Sequence, residues 1–221
     1  MIYETVARIR RVAGDWMLIS AALGRHTWFD HRIDEMLWPR DIFWVERGVL
    51  ARLYLPQGGK VLDACCGDGY FSDVFWSETA GTIEAIDRDA AALSTARRFH
   101  GRPNIAIYQR DVVRDALPGS NYDLVCFFEA IEHLSATDGK TVIDKLRSAL
   151  ARGGHIVGST PQVADDDRRK GNREHDNEFK SAEELQAFLG PGATIHTTHH
   201  VNRTTLYFVC DSAGHVAPPV C

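Results

Sequence analysis

Cysteine is scarce in this chain and never stands at metal-binding spacing: the five are Cys65, Cys66, Cys126, Cys210 and Cys221 of 221 residues. With no C-x-x-C pair and an odd count, neither a zinc cluster nor a disulfide framework is expected, and reduced thiols are the default. Long apolar runs are missing as well, since none approaches the ~20 residues that span a bilayer. Residues 1–25 scatter Arg8, Arg10, Arg11 and Asp15 among apolar side chains and lack the compact apolar stretch and small-residue cleavage site of a secretory signal. The expectation is a cytoplasmic protein with no membrane span. An excess of positive charge is also absent: a formal net charge of −5 leaves no electrostatic footprint for nucleic acid, which is therefore not expected as a partner. The basic patch Arg168-Arg169-Lys170 follows three aspartates, Asp165 to Asp167, and reads as a solvated loop.

What is present is an ordinary globular composition, 44% hydrophobic and 25% charged, in a length that fits one domain. From residue 60 to about residue 190, short apolar runs alternate with helical patterns, which predicts a parallel sheet with helices on both faces. Strands are expected at 60–64, 82–87, 104–108, 122–128 and 154–159, with helices over 70–78, 89–99 and 138–151 between them. Gly153-Gly154 would end the last of these helices, and Ser181-Ala-Glu-Glu184 reads as a capping box opening a helix to Leu189. Two further strands, Ala193 to His199 and Thr204 to Cys210, flank the turn-prone Val201-Asn202-Arg203 and predict an antiparallel hairpin. Residues 1–55 read as a mostly helical cap or lid bearing Trp28, Phe29, Trp38, Phe43 and Trp44, residues 56–212 as the core, and residues 213–221, with Pro218-Pro219, as a tail.

The passage Val61-Leu-Asp-Ala-Cys-Cys-Gly-Asp-Gly69 is an apolar strand followed by a glycine turn and a helix start, a place where backbone can approach a ligand closely. It lacks the third glycine, near Ser72, that the dinucleotide fingerprint requires. It resembles instead the first motif of class I S-adenosylmethionine-dependent methyltransferases, hydrophobic-Leu-Asp-x-Gly-Cys-Gly-x-Gly. Val61, Leu62, Asp63, Cys66, Gly67 and Gly69 match, while Cys65 occupies the place of the family's first glycine. The strand order and count over 60–210 resemble that family too, and imply a Rossmann-like, doubly wound α/β fold. Its seven-stranded, mostly parallel sheet would end in an antiparallel strand behind an N-terminal helical cap.

Acids at the carboxyl ends of several parallel strands carry more weight together than singly, because that edge is where open α/β sheets bind ligands. Asp63 ends the first strand, and the resemblance implies that it holds the amino-acid part of S-adenosylmethionine, with Ala64, Cys65, Gly67 and Gly69 lining the turn. Asp87, with Arg88 beside it, stands 24 residues later, where an acid accepts from ribose hydroxyls. Asp111 matches the position that meets the adenine amino group, and Val112 the one that packs on the ring. The fourth strand runs through Phe128 into Glu129-Ala-Ile-Glu132-His133-Leu134, close to the family's Glu-Val-Ile-Glu-His-Leu, which places Phe128 and Glu129 at the cofactor. Each acid taken alone reads equally well as a turn or helix cap.

Ser159-Thr160-Pro161-Gln162 and Asn172-Arg-Glu-His175-Asp-Asn-Glu178-Phe179 resemble motifs that border the acceptor side of the pocket in relatives. Methyl transfer needs alignment of the acceptor and, for an oxygen, removal of a proton near neutral pH, a task suited to histidine. His133 and His175, with Glu132, are the catalytic candidates. The remaining eight histidines read as surface or packing residues. The expected acceptor is a small molecule or glycan, and no metal ligand set is assigned. Two alternatives stand beside this reading. Glu129, Glu132, His133 and His175 also resemble the metal-holding set of methyltransferases that act on the terminal ribose of small RNAs, although Asn177 occupies the place of that family's liganding histidine. The other is a binding module that keeps the pocket without transfer.

Overall fold

The computed structural model describes residues 43–163, 175–200 and 203–212. Strands β1 (Lys60–Ala64), β2 (Thr82–Asp87), β3 (Ile105–Gln109), β4 (Tyr122–Phe128), β5 (Leu150–Gln162), β6 (Ala193–His199) and β7 (Thr204–Asp211) form one sheet. Their order is β3-β2-β1-β4-β5-β7-β6. The first five pair in parallel, and β7 runs antiparallel to both β5 and β6. The strand order reverses between β1 and β4, so the carboxyl ends of those two strands flank the crevice of the sheet.

Alternation of side chains sorts the central strands onto two apolar faces. Leu62, Val125 and Phe127 point to the face covered by α3 (Ala136–Ser148) and α4 (Ala182–Leu189), which contribute Ile143, Leu146 and Leu185. Val61, Leu124, Cys126 and Val157 point to the other, under Phe71, Trp76 and the helix α1 (Phe43–Leu53). Trp76 is fully buried and its Nε1 donates to the Gly48 carbonyl at 3.1 Å, which fastens α1 to the segment after β1. Helix α2 (Ala90–Phe99) starts where Asp89 accepts from the backbone of Ala91 and Ala92, the N-cap arrangement.

Three local expectations are revised. The helix expected over 70–78 forms over 70–76, wound wide from Ser72 to Trp76. The strand expected at 154–159 extends over Leu150–Gln162, and the helix before it ends at Ser148. Gly153, expected as that helix's cap, instead sits inside β5 with φ +78, where the pairing of β4 with β5 shifts register between Tyr122 and Leu124. The physical reason is the demand of Tyr122 for a partner: it pairs with Leu150, which draws the strand back through both glycines. Ser181 does cap the helix, its Oγ accepting from Glu184 N at 3.3 Å, and Glu184 Oε2 reaches back to accept from Lys180 N, one residue before the cap, at 2.8 Å.

Trp28, Phe29, Trp38, the basic patch at 168–170, Asn172, Val201, Asn202, Cys221 and the Pro218-Pro219 tail lie outside the described residues, as do the side chains of Phe43 and Trp44. Cys65, Cys66, Cys126 and Cys210 are free thiols. Among the described residues, no helix is long and apolar enough to cross a membrane.

Candidate functional site

The turn after β1 alternates left-handed backbone: Cys65, Gly67 and Gly69 have φ of +63, +55 and +77. The glycines serve different ends. A side chain at Gly69 would press on Ala96 of α2 at 3.1 Å, so this glycine allows helix and turn to pack closely. A side chain at Gly67 would meet nothing within 4 Å. It faces open space beyond the sheet edge, the place where a ligand can lie on bare backbone. Cys65 holds the same handedness at a cost of about 1–2 kcal/mol that glycine would not incur, which accounts for the glycine at that position of the motif it resembles.

Asp87 braces the turn. Its Oδ2 accepts from Gly67 N at 2.8 Å and its Oδ1 from Asp89 N at 2.8 Å, so one carboxylate ties β1's turn to the entrance of α2. Each oxygen keeps a lone pair for a further donor. Asp63 lies deeper, 4% exposed, and accepts from Ser72 Oγ at 2.6 Å. Burial raises its pKa to about 7; the Ser72 bond works in the opposite direction, and the Asp87 and Asp68 charges add to the rise. Asp68 is buried and caps the turn by accepting from Tyr70 N at 3.1 Å. Burial pushes the Cys65 thiol up, and the Asp87 and Asp63 charges add to the rise.

Asp111 shapes the loop that follows β3. Its Oδ1 accepts from Val113 N at 2.8 Å, and its backbone N donates to Asp115 Oδ2 at 2.8 Å. Val112 is buried beside this turn.

At the tip of β4, Glu129 adopts φ +47 and is held from three sides. Ser159 Oγ donates to its Oε1 at 2.8 Å, Arg203 Nη2 donates to its Oε2 at 2.6 Å, and Arg47 of α1 approaches Oε1 at 3.9 Å. Arg47 is 3% exposed and lies over the rings of Phe71 and Phe128. Desolvation lowers its pKa to about 10, against the pull of Glu129. Phe128 is committed to an aromatic stack with Trp76, ring centroids 6.3 Å apart.

Glu132 is buried, and burial raises its pKa well above the carboxylate range, with the Glu129 charge adding to the rise. Its carbonyl accepts from Asp176 N at 2.8 Å and Asn177 N at 3.1 Å, bonds that bring the His175 segment against the β4 tip. There the rings of His133 and His175 meet edge-on with centroids 5.0 Å apart. The ligand atoms of Glu132, His133 and His175 all lie within 4.8 Å of one another. His175 Nδ1 also stands 3.7 Å from Glu178 Oε1.

The residues expected from the sequence thus form two groups, the turn with Asp63, Asp87, Arg88 and Asp111, and the cluster at Glu132, His133 and His175, with Glu129 at the strand tip between them. Arg47, Ser72 and Arg203 did not emerge from sequence reasoning. Arg47 sits in an unremarkable helical pattern and Arg203 in a turn, and only the fold brings them to Glu129.

Residues 43–213 match the model of a family described as methyltransferase domain. A protein of Mycolicibacterium smegmatis, described as a probable S-adenosylmethionine-dependent methyltransferase, is 31% identical over 104 residues, 47% of this chain and 38% of the relative. The trans-aconitate 2-methyltransferase of Delftia acidovorans is 28% identical over 150 residues, 66% of this chain and 53% of the relative. The chain therefore spans well under two thirds of either curated relative. The crystal structure of the N-methyltransferase NodS from Bradyrhizobium japonicum with S-adenosyl-L-homocysteine shares the fold: TM-score 0.60, 23% identity, 78% of this chain and 89% of that one.

Proposed function

The chain belongs to the class I S-adenosylmethionine-dependent methyltransferases, and from that premise we propose that it methylates a hydroxyl of a small-molecule or glycan acceptor. The observation that carries the reading is the open face of Gly67 at the switch between β1 and β4, braced by Asp87. When bound, S-adenosylmethionine supplies a methyl group on an electrophilic sulfonium. Asp87 accepts from the ribose hydroxyls through the lone pairs its backbone donors leave, and Asp63 faces the ammonium of the amino-acid part. Asp111 takes the adenine amino group and Val112 packs on the ring. Glu129, pinned by Ser159 and Arg203, closes the side toward the acceptor.

His133 or His175 removes the acceptor proton as the new bond to oxygen forms. Glu132 positions the pair, because its carbonyl holds the segment that carries His175. Isothermal calorimetry with S-adenosylmethionine and S-adenosylhomocysteine, followed by transfer of labelled methyl to a panel of hydroxylated acceptors, tests the reading. Binding of both with turnover on a hydroxyl is expected. No affinity for either ligand overturns the cofactor assignment, and binding without turnover on any acceptor moves the reading to the non-catalytic module.

A second reading draws on the convergence of Glu132, His133 and His175. One carboxylate and two imidazoles suit a divalent cation, which would polarise the ribose hydroxyls at the end of a small RNA. Methylation of a short RNA with and without chelator decides it, and activity that survives the chelator removes it.

A further inference from the structure

We infer that Lys145, in the last turn of α3, is a specificity-determining positioning residue that sets the adenine wall of the cofactor pocket. The inference rests on the proposed role of Asp111 and Val112.

Residues 110–121 join β3 to β4 with no helix or strand of their own. A stretch of this length, bounded by two parallel strands, has few ladder bonds to fix it, and its carbonyls must find donors elsewhere. Lys145 supplies them. Its ammonium donates to the carbonyl of Val112 at 2.7 Å, of Val113 at 3.0 Å and of Asp115 at 3.0 Å. An ammonium has three N–H donors and a tripod of acceptors satisfies all three. The three acceptors lie 30 to 33 residues away in sequence, so this is a tertiary tie between α3 and the loop. A lysine in the last turn of a helix is usually accounted for by the helix dipole. Here it is aimed at another segment's backbone.

The carbonyls it holds belong to the residue read as packing on adenine, the residue after it, and Asp115. Asp115 is bound to Asp111 twice: Asp111 N donates to its carboxylate, and Asp115 N donates to the Asp111 carbonyl at 2.8 Å. Lys145 therefore fixes both the height of Val112 and the ring of bonds that orients Asp111. Asp111 Oδ1 is occupied by Val113 N, while Oδ2 has only the exposed Arg114 guanidinium at 3.8 Å and can turn to a ligand's amino group. A shift of the loop would turn that oxygen away, and the pocket would lose its means of telling an amino from an oxo group at the purine 6-position. A site built to bond an amino group rejects the analogue that lacks it because a polar group is left unpaired.

The test uses the full chain and two ligands: S-adenosylhomocysteine, and S-inosylhomocysteine, in which the adenine 6-amino group is replaced by oxygen. Affinities are measured by calorimetry for the wild type, Lys145→Gln, which keeps two donors, and Lys145→Met, which keeps the stem alone. Wild type is expected to prefer the adenosyl ligand by about tenfold or more, the size of one good polar contact. Lys145→Met should erase most of that preference, and Lys145→Gln should fall between. Thermal melts without ligand show that each variant is folded, and the graded preference of Lys145→Gln serves if Lys145→Met is not. Equal weakening of both ligands with the preference intact would make Lys145 a mere strut and overturn the inference, as would an unchanged preference. A wild type that binds both ligands alike defeats the adenine assignment of Asp111, and this inference with it.

Discussion

Replacing Asp87 by alanine removes a carboxylate that braces the fold and, in the proposed reading, holds the ligand, and the two losses are separable. The structural loss is two charge-assisted hydrogen bonds, from Gly67 N and Asp89 N, both at 2.8 Å. Bonds to charged groups are worth about 1.5–3 kcal/mol each. Both donors are only partly buried, so water replaces part of what is lost, and a total of about 3 kcal/mol is expected. For a domain of this size each kcal/mol moves the midpoint by about 2–4 °C, so Asp87→Ala should melt roughly 6–12 °C below wild type. The ligand loss comes on top, because the ribose hydroxyls lose their acceptor and the Gly67 turn its brace. Affinity for S-adenosylhomocysteine should fall about a hundredfold, or about 2.7 kcal/mol. Calorimetric melts with and without S-adenosylhomocysteine read both quantities, and the stabilisation that the ligand gives wild type should largely vanish. A variant that melts lower yet binds with wild-type affinity would show that Asp87 is only a brace, refuting its assignment to the ribose. A midpoint within about 2 °C of wild type would refute the energetic argument itself.

Three other perturbations test separate parts of the structure. Burial holds Asp63 at a pKa of about 7 in the folded protein, against about 3.9 in an unfolded chain. The unfolded state therefore ionises first: stability is untouched below about pH 4, declines as pH rises to about 7 and is level above it, a span of roughly 4 kcal/mol. Urea unfolding across this range should show a steeper decline in wild type than in Asp63→Asn, where the raised carboxyl of Glu132 still contributes. Cys65→Gly removes a left-handed cost of about 1–2 kcal/mol and adds about 0.5–1 kcal/mol of unfolded-chain freedom, so a midpoint higher by about 2 °C is expected in a thermal melt. A lower midpoint would mean that the thiol's packing outweighs the strain. Gly158→Ala drives a side chain into the Phe127 carbonyl and the Phe208 ring, neighbours fixed by the sheet. A loss of about 3 kcal/mol should appear in denaturant titration.

Much of this architecture was legible because period and punctuation agreed. The apolar runs at β1, β2 and β4 are buried on both faces and bounded by acids or turns, so their limits could be read to the residue. Gly153-Gly154 misled, because a glycine with positive φ fits a helix end and a strand irregularity equally well, and only the pairing of Tyr122 with Leu150 decides. The turn's acids were legible as a set, since strand ends repeat at intervals that a parallel sheet dictates. What was not legible is what holds those acids. Arg47 and Arg203 reach Glu129 from distant parts of the chain, Arg203 across 74 positions, and Lys145 reaches carbonyls 30 to 33 positions away, and no local pattern in the sequence marks such a partner.

The place of β7 between β5 and β6 imposes an order of assembly. As the chain emerges from a ribosome, β5 is complete about 40 residues before its neighbour β7 begins, and β6 is made between them. Until Thr204–Asp211 arrives, β5 offers an unpaired edge carrying Ile156 and Val157, the kind of surface on which partly folded chains associate. The hairpin must then dock as a unit, and it carries Arg203 to Glu129 as it does so. Closure of the sheet by β7 and arrival of Arg203 at Glu129 go together, so a chain without that strand has neither a protected β5 edge nor the Arg203–Glu129 ion pair.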